Sequence, residues 1–201
     1  MLRRLLLICV ALPLWGCNNA TSLERGRSAA APDAGLSSAE IEVAHLLEAN
    51  SPFEFDFDLE DVSGNRLSKA DLAGKVLIVD LWGTWCPPCR MEIPHFVALN
   101  KKYQDQGLAI VGLNSEQTRD KAKAARLVQE FCKSERVDYP CAVITEEILD
   151  QVPDLQGLPT TLFFDRTGQV RLRAVGYHDI SFLQAAVEAL LHEKSAADAE
   201  G

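Results

Sequence analysis

Cys86 and Cys89 are separated by two prolines in the run Asp80-Leu81-Trp82-Gly83-Thr84-Trp85-Cys86-Pro87-Pro88-Cys89-Arg90. Two cysteines at that spacing can close a disulfide or exchange one with another molecule. The attacking species is the thiolate, so such a pair becomes reactive where negative charge on sulfur is stabilised. The flanks supply that setting. Apolar Val76-Leu77-Ile78-Val79 leads in and an amphipathic stretch beginning at Met91 leads out, which puts the cysteines where a strand hands over to a helix. A helix N-terminus offers unpaired N–H groups and the positive end of the macrodipole. Pro87 suits the first turn, and with Pro88 it removes two donors, leaving the Cys89 N–H as the main-chain partner for the Cys86 sulfur. Cys86 is read as the exposed nucleophile and Cys89 as the thiol that resolves the mixed disulfide.

Other uses of paired cysteines fit less well. Haem attachment needs a histidine after the second cysteine, where Arg90 stands, and a peroxidatic cysteine stands alone in its loop. Zinc needs a second close pair, whereas Cys132 and Cys141 are nine residues apart, so neither metal nor cofactor is expected. Asp80 interrupts an otherwise apolar strand, Val76 to Leu81. Burial there would raise its carboxyl pKa and make it a proton acceptor beside the thiols. Cys132 and Cys141 bracket the end of a helix and the start of a strand, and spacing leaves open a second disulfide or two buried free thiols.

The elements that must position this chemistry can be traced along the chain. Residues 38–47 carry Ala39, Val43, Leu46 and Leu47 on one helical face, capped by Ser37 or Ser38. Residues 53–59 alternate phenylalanine and acid, the period of a half-buried strand, and Ser63-Gly64-Asn65 turns them back as an N-terminal hairpin. Val76 to Leu81 and Leu108 to Leu113 read as central strands, with Asn114-Ser115-Glu116 at the edge where α/β sheets gather ligands. A helix follows over 118–136, then strands from Cys141 and from Leu158, a turn at Asp165 to Gly168, a strand over 170–175 and a closing helix over 181–191.

The chain ends carry a different message. The 201 residues, 47% hydrophobic and 24% charged, suit one globular domain with appendages. Arg3 and Arg4 precede an apolar run, Leu5 to Leu14, too short to span a bilayer, which is the form of a secretory signal. Leu14-Trp15-Gly16-Cys17 resembles a bacterial lipobox, so residues 1–16 are expected to be a lipoprotein signal and Cys17 the lipidated N-terminus. Residues 17–36 read as a flexible tether, 37–192 as the folded domain and 193–201 as a disordered tail. Cleavage after Gly16 leaves 18 basic against 29 acidic residues, a net charge of −11, which argues against nucleic acid as a partner.

The segment Val79 to Cys89 resembles the active site of thioredoxin-fold proteins, and Trp85-Cys86-Pro87-Pro88-Cys89 that of the membrane-anchored TlpA, ResA and CcmG group. Gly157-Leu158-Pro159-Thr160-Thr161 is similar to that group's cis-proline segment, and the likeness extends over about residues 50–191. It implies an α/β fold with a central mixed sheet flanked by helices and an N-terminal β-hairpin extension. It implies a redox-active Cys86–Cys89 disulfide, Asp80 as the buried base for Cys89, and a cis Leu158-Pro159 peptide. Leu158, Pro159, Trp85 and Pro87 would meet the substrate. Thr160 stands where the apocytochrome-reducing members commonly carry an acid.

The resulting expectation is a lipid-anchored, periplasm-facing, monomeric thiol–disulfide oxidoreductase that reduces disulfides in exported proteins. The resemblance implies recharging by an inner-membrane donor of the DsbD or CcdA type, with the anchor in either the inner or the outer membrane. The alternative is a thiol-based metallochaperone or copper-binding module serving oxidase or cytochrome assembly.

Overall fold

The computed structural model describes residues 35–49 and 51–193. The expected signal sequence, Cys17, nearly all of the expected tether and the residues beyond Glu193 lie outside the described residues. From Gly35 onward the chain forms one compact unit. Among the described residues, no helix is long and apolar enough to cross a membrane.

A five-stranded sheet organises this unit. Its order is β5 (Cys141–Val143), β4 (Leu108–Asn114), β3 (Val76–Trp82), β6 (Thr160–Phe164) and β7 (Val170–Val175). β3, β4 and β5 are parallel, whereas β6 runs antiparallel to β3 and β7 antiparallel to β6, so the sheet is mixed as expected. Every residue of β3 and of β4 is buried, which explains their near-continuous apolar sequences.

Strand alternation divides the core in two. Val76, Ile78 and Trp82 face a layer built from α1 (Ser38–Ala49), α2 (Pro87–Tyr103), α3 (Lys121–Glu135) and α5 (Ile180–His192). Leu77, Val79 and Leu81 face the opposite layer, made by residues 53–72 and the short α4 (Glu146–Leu149). Asp80 therefore points into the first layer, with the cysteines.

The N-terminal hairpin is shorter than the alternation suggests. β1 (Asp58–Glu60) pairs with β2 (Arg66–Ser68), but residues 53–57 join no ladder. Phe55 and Phe57 are buried as the alternation predicts. Side chains satisfy much of this backbone instead: Gln151 accepts from the Asp56 N–H and donates to its carbonyl, and Lys69 Nζ donates to the Phe55 carbonyl, while the Phe57 carbonyl accepts from the Lys69 N–H. Alternation reports burial, and here burial comes without strand pairing.

Local chemistry fixes several boundaries. Ser37 caps α1, accepting from the Glu40 N–H while Glu40 accepts from the Ser37 N–H, a reciprocal capping box. On α1 only Val43 is buried, and Leu46 is exposed rather than packed. Asp120 caps α3 and Asp179 caps α5, each through its carboxylate. β6 begins at Thr160, two residues later than the sequence suggests, directly after the cis Leu158-Pro159 peptide.

Three strands meet in register across one row: Asp80 on β3 faces Gly112 on β4, and Gly112 faces Cys141 on β5. A Cβ on Gly112 would lie 2.8 Å from Cys141 Sγ and 2.9 Å from Trp82 Nε1. The space a side chain would fill is already occupied by a sulfur and an indole. Gly112→Ala is accordingly expected to cost about 1–3 kcal/mol through overpacking. Urea unfolding checks this, and an unchanged midpoint would mean that Trp82 or Cys141 yields at no cost.

Candidate active site

The site is assembled where β3 ends and α2 begins. Cys86 is the N-cap of α2, with Pro87 and Pro88 as its first two residues, so the helix starts four residues before the amphipathic pattern becomes visible. Cys86 and Cys89 form a disulfide with Cα atoms 5.4 Å apart. The Cys89 N–H donates to Cys86 Sγ at 3.4 Å, the single main-chain donor that the two prolines leave in this turn. The same contact would support a Cys86 thiolate after reduction.

Cys86 is 3% exposed and Cys89 1%, so in the disulfide form Cys86 is not the exposed sulfur that its position in the loop suggests. The backbone folds the loop back on itself: the Cys86 N–H donates to the Gly83 carbonyl. Access runs past the neighbours, for Trp85 is 45% exposed, and Pro87 and Arg90 are exposed too.

The loop is held by the end of β4. Trp85 Nε1 donates to the Ser115 carbonyl at 2.9 Å, the Ser115 N–H donates to the Trp82 carbonyl at 2.8 Å, and the Thr84 N–H donates to Glu116 Oε1 at 3.0 Å. Asn114 Nδ2 donates to the same Glu116 oxygen. Gly83 is required by this fit, because a Cβ there would stand 2.7 Å from Trp85 Nε1. Ser115 and Glu116 also line a groove of about 910 Å³ that extends to Val143 and Thr145.

The cis peptide precedes Pro159, which is buried, while Leu158 is half-buried and packs against the core that contains both cysteines. The Pro159 carbonyl accepts from the Gly176 N–H and Thr160 Oγ1 donates to the Gly157 carbonyl, whereas the Leu158 N–H and C=O have no partner among the described residues. An unpaired main-chain donor and acceptor can take an extended peptide as an added strand.

Asp80 is 1% exposed, and neither carboxylate oxygen has a hydrogen-bond partner. Burial, and then the nearby Glu92 carboxylate, push its carboxyl well above the ordinary range. It shares the sheet face and core of Cys86 and Cys89 but makes no hydrogen bond to either.

Glu92 is a site residue that sequence reasoning missed. It lies on α2 one turn beyond Cys89, fully buried, with Oε1 accepting from the His178 N–H at 2.9 Å and Oε2 unpartnered. Burial raises its carboxyl to about 7, opposed by that one hydrogen bond. The available signal was an acid beside Ile93 and Phe96 on an otherwise apolar helix face. His95, on the same helix, pairs with Tyr177 at 3.1 Å on the exposed side.

Cys132 and Cys141 are free thiols, so the second disulfide of the two sequence alternatives is absent. They pack in the same cluster, and the Cys141 thiol donates to the Tyr139 carbonyl at 3.8 Å. Among the described residues, no group of three or more His, Cys, Asp or Glu is placed to hold a metal ion.

Glu92 makes stability depend on pH with a definite sign. Between its ordinary value of 4.5 and about 7 the folded chain keeps a proton that the unfolded chain has released, so stability falls as pH rises through that window. The full span corresponds to roughly 3 kcal/mol at most. Glu92→Gln is expected to gain on the parent protein when urea midpoints taken below pH 4.5 are compared with those above pH 7. A difference that does not change with pH would remove Glu92 as its source.

These features have counterparts in known proteins. The AhpC/TSA family model matches residues 53–173. The thiol-disulfide oxidoreductase ResA of Bacillus subtilis (strain 168) is 34% identical over 115 residues, 57% of this chain and 61% of that protein. The thioredoxin-like protein YneN of the same organism is 31% identical over 121 residues, 60% of this chain and 68% of that one. The chain spans about three fifths of the length of the ResA relative. A crystal structure of a thiol:disulfide interchange protein of the thioredoxin family, from Chlorobium tepidum TLS, superposes with a TM-score of 0.62 at 28% identity, covering 71% of this chain and 98% of the other. With the sheet order, the helix-capping disulfide and a match over more than half its length, the chain belongs to the thioredoxin-like AhpC/TSA family.

Proposed function

We propose that this chain is a thiol–disulfide oxidoreductase that reduces disulfides in exported proteins. The observation that carries the reading is the Cys86–Cys89 disulfide at the start of α2, with Cys86 Sγ accepting from the Cys89 N–H and an unpaired Leu158 main chain beside it. In the reduced enzyme the Cys86 thiolate attacks a substrate disulfide, forming a mixed disulfide and releasing one substrate thiol. Cys89 then attacks Cys86, releasing the second substrate thiol and restoring the enzyme disulfide. Asp80 accepts the Cys89 proton; a carboxylate with a raised pKa is a stronger base for a thiol than an ordinary one.

Direction depends on the potential of the pair. Couples of this kind differ by roughly 150 mV, about five powers of ten in equilibrium constant for two electrons. The lipobox-like Leu14-Trp15-Gly16-Cys17 supports a lipid anchor facing the periplasm, and the family resemblance supports recharging by an inner-membrane donor of the DsbD or CcdA type.

Cys86→Ser is expected to abolish disulfide reduction, and Cys89→Ser to accumulate the mixed disulfide on Cys86. Asp80→Asn should slow release of reduced substrate by roughly 10²-fold while leaving formation of the mixed disulfide intact. Stopped-flow kinetics with acid quenching separates the steps. Full activity in Cys86→Ser would end the mechanism, and a potential as oxidising as that of a dedicated oxidase would reverse its direction.

A further inference from the structure

Cys141 opens β5 at the edge of the sheet, buried, in the row that runs through Gly112 to Asp80. Cys132 lies near the end of α3 and is half-buried. Because Gly112 has no side chain, Cys141 Sγ leans over it, on the sheet face that carries Trp82 and Asp80. Cys132 packs against the buried cluster that contains Cys141 and the two thiols influence each other's ionisation, while the Cys141 thiol donates to the Tyr139 carbonyl at 3.8 Å. Two thiols on neighbouring elements that pack in one cluster are candidates for the ~2.0 Å bond of a disulfide.

The connection between them is already closed without a covalent link. The Cys132 carbonyl accepts from both the Arg136 and Val137 N–H groups, and Arg136 takes a left-handed conformation at φ 57° to allow it. A disulfide across these nine residues would act mainly on the unfolded chain, and less than one closing a long loop.

The asymmetry of the two sites is that of an exchange couple. Cys132 is half-buried, and the Cys141 thiol near it lowers its pKa; Cys141 is buried and its own pKa is pushed well up, first by Cys132 and then by burial. One sulfur is thus suited to attack and the other to resolve.

We propose that Cys132 and Cys141 form a second thiol–disulfide couple of this chain, distinct from Cys86–Cys89 and working by exchange with a small-molecule disulfide. The Cys132 thiolate attacks one sulfur of the oxidant, breaking its S–S bond and releasing one thiol. Cys141 loses its proton and attacks the Cys132 sulfur of the mixed disulfide, forming Cys132–Cys141 and releasing the second thiol. Two electrons pass from the protein to the oxidant, which takes up the two protons. The proposal does not depend on the function assigned to Cys86.

The test equilibrates the full chain carrying Cys86→Ser and Cys89→Ser with mixtures of reduced and oxidised glutathione, followed by acid quenching, alkylation and peptide mapping. Cys132 and Cys141 are expected to lose alkylation together and to appear as one cross-linked peptide. The ratio of oxidised to reduced pair should rise with the concentration of oxidised glutathione divided by the square of that of reduced glutathione. In Cys141→Ala the glutathione adduct on Cys132 should persist, because its resolving sulfur is gone. The same mapping on the unsubstituted chain, which does not depend on the variants folding, should give the Cys86–Cys89 and Cys132–Cys141 peptides separately. Both thiols remaining alkylated at every ratio, or a stable Cys132 adduct with Cys141 free in the parent sequence, would overturn the couple.

Discussion

The exclusion of water from β3 is the constraint on which the site depends. Every residue of that strand is buried, yet it carries a carboxyl, Asp80, with no donor to either oxygen. A buried carboxylate without partners is costly, and the proton is the cheapest remedy available to it. Glu92 adds to the same condition from the helix side, with a single main-chain donor against full burial. Two acids whose carboxylates bind a proton more tightly than ordinary ones thus lie in the layer that holds the disulfide, where a departing or arriving proton on sulfur needs a nearby counterpart.

The rest of the local architecture keeps the disulfide fixed against this layer. The loop from Gly83 to Trp85 rests on Ser115 and Glu116 at the end of β4, and Trp82 packs its ring 5.0 Å from that of Phe131 on α3. Arg90, one residue beyond the disulfide, sits 5.7 Å from the same Phe131 ring. Strand, loop, α2 and α3 therefore share contacts around the cysteines, and the half-exposed Trp85 ring is anchored through its N–H while its face remains open.

What could be read from the sequence was the local part. The turn Cys86-Pro87-Pro88-Cys89 contains its own capping logic within four residues, and the apolar runs of β3 and β4 announce strands covered on both sides. Glu92 stayed hidden because its meaning depends on His178, 86 residues away. The nearness of Cys141 to Asp80 was hidden for a related reason: it arises from the register of two parallel pairings, which no local pattern encodes. Residues 53–57 mark the opposite limit, where a clear period of two described which side chains are buried but not which backbone groups pair.

Gly112 has an evolutionary consequence. Its absent side chain is filled by two others, Cys141 Sγ and Trp82 Nε1, so the three positions cannot drift independently. A lineage that lost Cys141 for a smaller residue would open the way to alanine at position 112, while one that first acquired alanine would be selected to shrink or turn its neighbours. Once either path was taken, reverting the glycine alone would leave a void where the sulfur had been. The order of substitutions along this row is thus channelled by packing, and a thiol beside the buried acid is easier to keep than to regain.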